Sequence, residues 1–166
     1  MNTFFIADLV ERLGFELDTI VKGTQNTVKS KLLELNEYDR FPMISYEHTN
    51  DSNFDVDISE SNFLNNISHS GTWIMGINDD EVIFIVNLKN KNNSVLEIDA
   101  LEIRDELRGQ GLGSDIVSVI ESVAGQYYTS ICVTLFDTDA ENFWKYIGYE
   151  EWMNDYLIKK LNYGES

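Results

Sequence analysis

Residues 96–113, LEIDALEIRDELRGQGLG, carry a strand pattern that runs straight into a glycine-spaced turn and then a helix start. Arg108-Gly109-Gln110-Gly111-Leu112-Gly113 is followed by Ser114 and Asp115, whose short oxygens and negative charge suit the free N–H groups and dipole of a first helical turn. Successive backbone N–H groups at the positive end of a helix dipole attract an anion, and glycines let the backbone approach it closely. The expected ligand is a phosphate. The spacing is not that of a Walker A loop, which needs Lys and Ser/Thr after the last glycine, nor of a G-x-G-x-x-G dinucleotide turn. A tight turn opening a helix uses glycines in the same way, and the hexapeptide alone leaves both readings open.

The elements that must position this turn are legible on both sides of it. Leu96, Ile98 and Ala100 alternate with Glu97 and Asp99, and the apolar phase then slips by one to Leu101 and Ile103. That slip predicts a long strand with a bulge near Ala100, a kink that opens a sheet. After the turn, Ile116, Val117, Ile120 and Val123 form a helix face closed by Gly125, and residues 131–136 form the next strand. A strand, helix and strand in that order imply a parallel pair joined by a right-handed crossover, with a cleft where the strand ends splay. Asp139 is placed to cap a short helix over residues 140–147 that stops at Gly148, and Tyr156 to Leu161 reads as the last strand. Upstream, Thr72 to Ile77 and Glu81 to Leu88 form a hairpin about Asn78-Asp79-Asp80, with a second turn at residues 90–93.

Before the hairpin the pattern is helical. Asn2 or Thr3 caps a helix whose stripe is Phe5, Leu9, Leu13, Leu17 and Ile20; Gly23 and Thr24 can end it before a second face of Val28, Leu32 and Leu35, giving a helical hairpin or one bent helix. Such a stripe covers the chain's own sheet or, less commonly, a partner. Residues 37–61 are polar and hold the single proline, Pro42; they read as a connection with one short strand, followed by a short helix from Phe63 to Ile67. His48 and His69 lack a second ligand at metal spacing and take no role, so no metal is expected.

The 166 residues suit one folding unit with a substantial core, being 43% hydrophobic and 12% aromatic. A net charge of −17, from 29 acidic against 12 basic residues, argues against nucleic-acid or anionic-membrane binding and admits a cationic substrate or partner. The single cysteine, Cys132, lies in an apolar run and reads as a core residue in a reducing compartment. Phe4, Phe5 and Ile6 lack a basic flank, and Asp8, Glu11 and Arg12 interrupt any membrane span, so a cytoplasmic protein is expected.

The R-x-x-G-x-G of Arg108 to Gly113 resembles the pyrophosphate-binding pattern of the GNAT superfamily of acetyl-coenzyme A-dependent N-acetyltransferases. The order of hairpin, long strand, glycine turn, helix, strand, A-x-x-F-W-x-x-x-G-Y and strand is similar to theirs from about Phe54 onward. The resemblance implies an α/β (α+β) GNAT fold, with a mixed central sheet splayed at the long fourth strand. It divides the chain into an acetyltransferase domain, 54–166, and an additional N-terminal helical segment and connection, 1–53. It further implies acetyl-CoA as cosubstrate. The backbone of Leu101, Glu102 and Ile103 would bond the pantetheine arm like an added strand, and Arg108, Gly109, Gln110, Gly111, Leu112, Gly113 and Ser114 would hold the pyrophosphate.

The implied chemistry is direct attack of a primary amine on the acetyl thioester, which needs a base for the ammonium. Matched to the histone-acetylating branch, Glu97 occupies the place of the general base. Alternatively Glu97, Asp99 and Glu102 form an acidic cleft that binds a cationic amine. The expected acceptor is a small cationic molecule or a basic protein. Two positions depart from the family pattern. Trp144 stands where many relatives carry a tyrosine acid, and Asp137 where they carry a cofactor-binding asparagine; an indole N–H donates a hydrogen bond but no proton. Tyr146 and Tyr149 are the remaining phenols nearby, with core packing the alternative for all three aromatics. The rival to an enzyme is an inactive acidic GNAT-fold protein bound to a basic partner surface, and a homodimer is a further option.

Overall fold

A computed structural model of the chain describes residues 1–42, 44, 71–135 and 138–162. The readings at His48, His69, residues 63–67, Phe136, Asp137 and the boundary at 53/54 lie outside the described residues.

The elements follow the order α1 (Thr3–Leu13), β1 (Thr19–Gly23), α2 (Gln25–Glu34), a 3-10 turn (Tyr38–Arg40), β2 (Gly71–Asn78), β3 (Glu81–Asn90), β4 (Val95–Ile103), a second 3-10 turn (Asp105–Leu107), α3 (Leu112–Ala124), β5 (Ser130–Thr134), α4 (Thr138–Tyr146), β6 (Glu150–Glu151) and β7 (Tyr156–Lys160). Seven strands form one mixed sheet in the order β1-β2-β3-β4-β5-β7-β6. The hairpin turn of β2 and β3 has positive φ at both Asp79 and Asp80, the geometry whose twist matches paired strands and that short polar side chains tolerate. β4 and β5 are parallel, as the crossover requires.

The N-terminal reading is corrected by the structure. α1 begins as expected, Asn2 Oδ1 accepting from the N–H groups of Phe4 and Phe5, but it ends at Leu13 with Gly14 as its cap. Residues 19–23 are not helix; they extend the sheet as an edge strand, from Thr19 opposite Ile77 to Gly23 opposite Trp73. The three-to-four spacing of Leu13, Leu17 and Ile20 imitates a helix. The β-branched run Thr19-Ile20-Val21 and the open edge of β2, which supplies a ladder of hydrogen bonds, decide the matter. The initial segment is therefore helix, strand and helix, and its strand belongs to the common sheet.

One sheet face carries α1, α3 and α4. Phe5, Leu9 and Leu13 of α1 meet Ile116 and Ile120 of α3 and Leu96 and Ile98 of β4 in one core cluster, and the Phe5 ring sits edge-on to Tyr128 at 5.3 Å. The stripe of α1 thus packs on its own protein. The other face is covered on its β1–β3 side by Val28 and Leu32 of α2, with Phe41 and Ile44, against Trp73, Met75 and Ile85.

The end of β4 is tied to the segment after α2 by a buried ion pair. Arg104 Nη1 lies 2.5 Å from Glu37 Oε1, and its Nε 2.5 Å from Glu106 Oε2. Glu37 Oε1 also accepts from the Val82 N–H at 3.1 Å. Removing one member leaves the other desolvated. Glu37→Gln should therefore cost about 2 to 3 kcal/mol, Glu106 still facing the guanidinium, and lower the melting temperature by about 5 to 10 °C. Thermal denaturation checks this, and a shift under about 1 °C would make the pair energetically neutral.

Candidate functional site

β4 decides where the cleft lies. In its ladder with β3, Asn87 faces Ala100 while Leu88 faces Ile98, so Asp99 is the extra residue of the bulge expected near Ala100. Pairing with β5 runs from Val95 opposite Ser130 to Ile98 opposite Val133. Among the described residues, Ala100 to Ile103 pair with β3 alone and leave their other edge open toward the cleft.

That edge, the glycine turn and α4 enclose a cavity of about 520 Å³, lined among others by Leu101, Glu102, Ile103, Arg108, Gly109, Gly111, Gly113, Ser114, Phe143, Trp144 and Tyr146. Every expected cofactor residue except Gln110 lines it; Leu112 does so too, and the Gln110 amide is turned back to the Glu106 carbonyl at 3.2 Å. Gly109 and Gly111 have φ of +78° and +83°, and a Cβ on either would meet nothing within 4 Å among the described residues. Backbone conformation and an open approach, rather than crowding, therefore explain these two glycines.

α3 starts at Leu112 with Gly111 as its N-cap and no side-chain cap. Ser114 and Asp115 do not satisfy its N–H groups as the sequence suggested. The first helical bond of the turn is donated by Asp115 N–H to the Gly111 carbonyl at 3.0 Å. The N–H groups of Leu112, Gly113 and Ser114 are left at the positive end of the dipole without intrahelical acceptors, which is the donor set a phosphate needs.

Glu97 does not line this cavity. It lies 3% exposed on the opposite sheet face, beside its cross-strand neighbours Lys89 and Cys132. Thr134 Oγ1 donates to Glu97 Oε2 at 2.7 Å and lies 3.4 Å from Asp99 Oδ1. Asn87 Nδ2 donates to Asp99 Oδ2 at 3.3 Å, and Lys89 Nζ is 3.5 Å from Asp99 Oδ1. Burial raises the Glu97 carboxyl above the usual carboxylate range; the Thr134 hydroxyl and Lys89 work against this, and Asp99 with it. Glu97 and Asp99 come together as the acidic-cleft reading has them, but Glu102 stands apart, paired with Arg108. The roles of Asn87 and Thr134 carry no sequence signal, since pairing register alone brings them here. Burial pushes the Cys132 thiol up to about 12, so it is no nucleophile at neutral pH.

Trp144 is buried, edge-on to Phe143 at 5.1 Å and to Tyr149 at 5.0 Å. The Tyr149 hydroxyl donates to Glu121 Oε2 at 2.9 Å, and burial raises its pKa far above the ordinary value. Both are core residues, whereas Tyr146 is 89% exposed at the cavity rim. No group of three His, Cys, Asp or Glu side chains able to hold a metal occurs among the described residues, nor a helix long and apolar enough to cross a membrane.

A bulged strand splayed from its parallel neighbour, with a glycine turn and a helix start without a side-chain cap at its end, makes a cleft whose backbone N–H donors suit an anion. The family model of the acetyltransferase (GNAT) family matches residues 35–149, and the chain belongs to that family: it is an acyltransferase with acetyl-CoA as cosubstrate. The fold is shared with a GNAT acetyltransferase from Staphylococcus aureus Mu50, at a TM-score of 0.57 and 16% identity over 86% of this chain and 99% of the other. An acetyltransferase from Streptococcus agalactiae 2603 gives a TM-score of 0.55 at 12% identity, over 87% and 99%. No curated protein matches the sequence.

Proposed function

We propose that the chain transfers the acetyl group of acetyl-CoA to a primary amine of a cationic acceptor, with Glu97 as general base. The observation that carries this reading is the convergence of Glu97, Asp99 and Thr134 where β4 parts from β5. The cavity lies on the α3 and α4 side of that parting and the two carboxylates on the other. An acyl group and an amine would meet through the gap.

Acetyl-CoA supplies an activated acetyl thioester whose thiolate departs. Leu101 to Ile103 offer their open strand edge to its pantetheine arm, and the turn from Gly109 to Ser114 offers backbone N–H groups to its pyrophosphate. Asp99 attracts the ammonium and Glu97 takes its proton, leaving a neutral amine able to attack. The buried Asn87 Oδ1 has no hydrogen-bond partner among the described residues and adds an acceptor for a cationic N–H. A thiol with an ordinary pKa of about 8.5 leaves readily enough to take its proton from water, so a tryptophan at 144 is compatible with turnover. A buried reduced cysteine accords with a cytoplasmic location.

Acetyl-CoA at about a hundred times its dissociation constant should stabilise the fold by about 2.7 kcal/mol and raise the melting temperature by about 5 to 10 °C. A melt unchanged at millimolar acetyl-CoA would refute the cofactor site. Release of free thiol with a panel of amines tests the acceptor: cationic di- and polyamines or lysine peptides should be turned over, and anionic amines should not. Equal turnover of both would remove the role given to Asp99.

A further inference from the structure

Glu102 and Arg108 stand on the two sides of the bend where β4 gives way to the glycine turn. Arg108 Nη2 donates to Glu102 Oε2 at 3.1 Å and its Nε to the Ile103 carbonyl at 3.2 Å, so the guanidinium is folded back on the strand it follows. The Glu102 side chain is 2% exposed and that of Arg108 44%. Glu102 Oε1 accepts from the Ile44 N–H at 3.0 Å, which fixes the carboxylate from the side of the N-terminal segment. Both residues line the cavity.

We infer that Glu102 is a positioning residue for the phosphate end of the cavity: it holds Arg108 against the end of β4, and this pair stays intact when ligand binds. The inference rests on the reading that the glycine turn holds the pyrophosphate of acetyl-CoA. Relative magnitudes decide against Arg108 leaving for the phosphate. Leaving would take from a carboxylate whose side chain is 2% exposed the cation it faces and from the guanidinium two hydrogen bonds already made, whereas a hydrogen bond from a half-exposed cation to phosphate returns about tenfold. The pair instead ties strand end to turn, so that the N–H groups from Gly109 to Ser114 keep their common direction. The N–H groups that Glu102 and Ile103 do not use include those of Nη1, which lies 3.8 Å from Asp105 Oδ1, so the guanidinium has little left to offer a phosphate.

Calorimetric titration of the wild type, Glu102→Gln, Arg108→Gln and the double variant with acetyl-CoA and with acetyl-pantetheine, which lacks the pyrophosphate, tests this. Glutamine keeps an oxygen for the Ile44 N–H but has no charge to hold the guanidinium. Each single change should weaken acetyl-CoA by about 5- to 20-fold, and the double variant by no more than about twofold beyond the weaker single one, because both break the same contact. Acetyl-pantetheine should bind all four proteins within about twofold. Tighter acetyl-CoA binding by Glu102→Gln would make Glu102 a competing anion and overturn the inference. Additive losses, or a parallel loss of acetyl-pantetheine, would overturn it as well. Should Glu102→Gln not fold, Arg108→Lys serves: it should lose as much as Arg108→Gln, and full affinity with lysine would show that no guanidinium anchor is needed. A wild type that binds acetyl-pantetheine but not acetyl-CoA would instead defeat the pyrophosphate reading itself.

Discussion

Glu97→Gln is expected to lower turnover by about a hundredfold or more while leaving acetyl-CoA affinity within about twofold. The carboxylate does not line the cavity and accepts from Thr134 on the far sheet face, so in the proposed role its loss would reach the acceptor's proton and not the phosphates. In the wild type, burial places the carboxyl above the usual range. The base form appears only as pH rises through that raised value, so the rate should climb on this limb, and the limb should vanish in the variant. Stability should move the other way. A carboxyl whose folded-state pKa exceeds its unfolded value contributes stability that is present below the unfolded value and lost as pH rises through the folded one. Glu97→Gln should therefore melt no lower than wild type at pH 7, and any advantage should fade toward about pH 4. A variant that melts much lower at neutral pH would make Glu97 a structural ion partner. One that raises only the acceptor's KM would make it a binding carboxylate.

Gly111→Asp should abolish the thermal shift given by acetyl-CoA. With φ of +83° and open space around its Cα, the position admits a side chain sterically, at a conformational cost of about 1 to 2 kcal/mol. On the proposed reading the new group enters the space meant for phosphate and adds a negative charge beside the N–H groups that would receive the pyrophosphate. Without ligand the variant should melt only a few degrees lower than the wild type, and adding acetyl-CoA should change nothing. Gly111→Ala separates the two effects: it carries the backbone strain without the charge, and should weaken the shift rather than remove it. Retention of the full shift by Gly111→Asp would place the anion site elsewhere on the chain.

Much of the fold and of the cofactor cleft was legible in the residues themselves, because local physics governs them. A phase slip in an alternating strand has few outcomes other than a bulge, and Asp99 provides it. Glycines spaced as Gly109 and Gly111 before an amphipathic run mark positive φ and a helix start, and two aspartates between β-rich runs mark the turn of a hairpin. What lies far apart in the chain was not legible. Ile20 fits a helical stripe by spacing, yet joins a strand because the edge of β2 is open to it. The pairing of Glu102 with Arg108, the insertion of Arg104 between Glu37 and Glu106, and the gathering of Thr134, Asn87 and Lys89 about Glu97 and Asp99 all depend on register and crossover. Sequence thus determined the turn and the bulge, since each arises from neighbours within a few residues, while the class of chemistry came from the resemblance of the glycine turn and the element order to a family. Tertiary structure alone decided which face each carboxylate occupies and which charge it meets. A shift of one residue in strand register exchanges the two faces of a sheet and no local pattern records the partner's register.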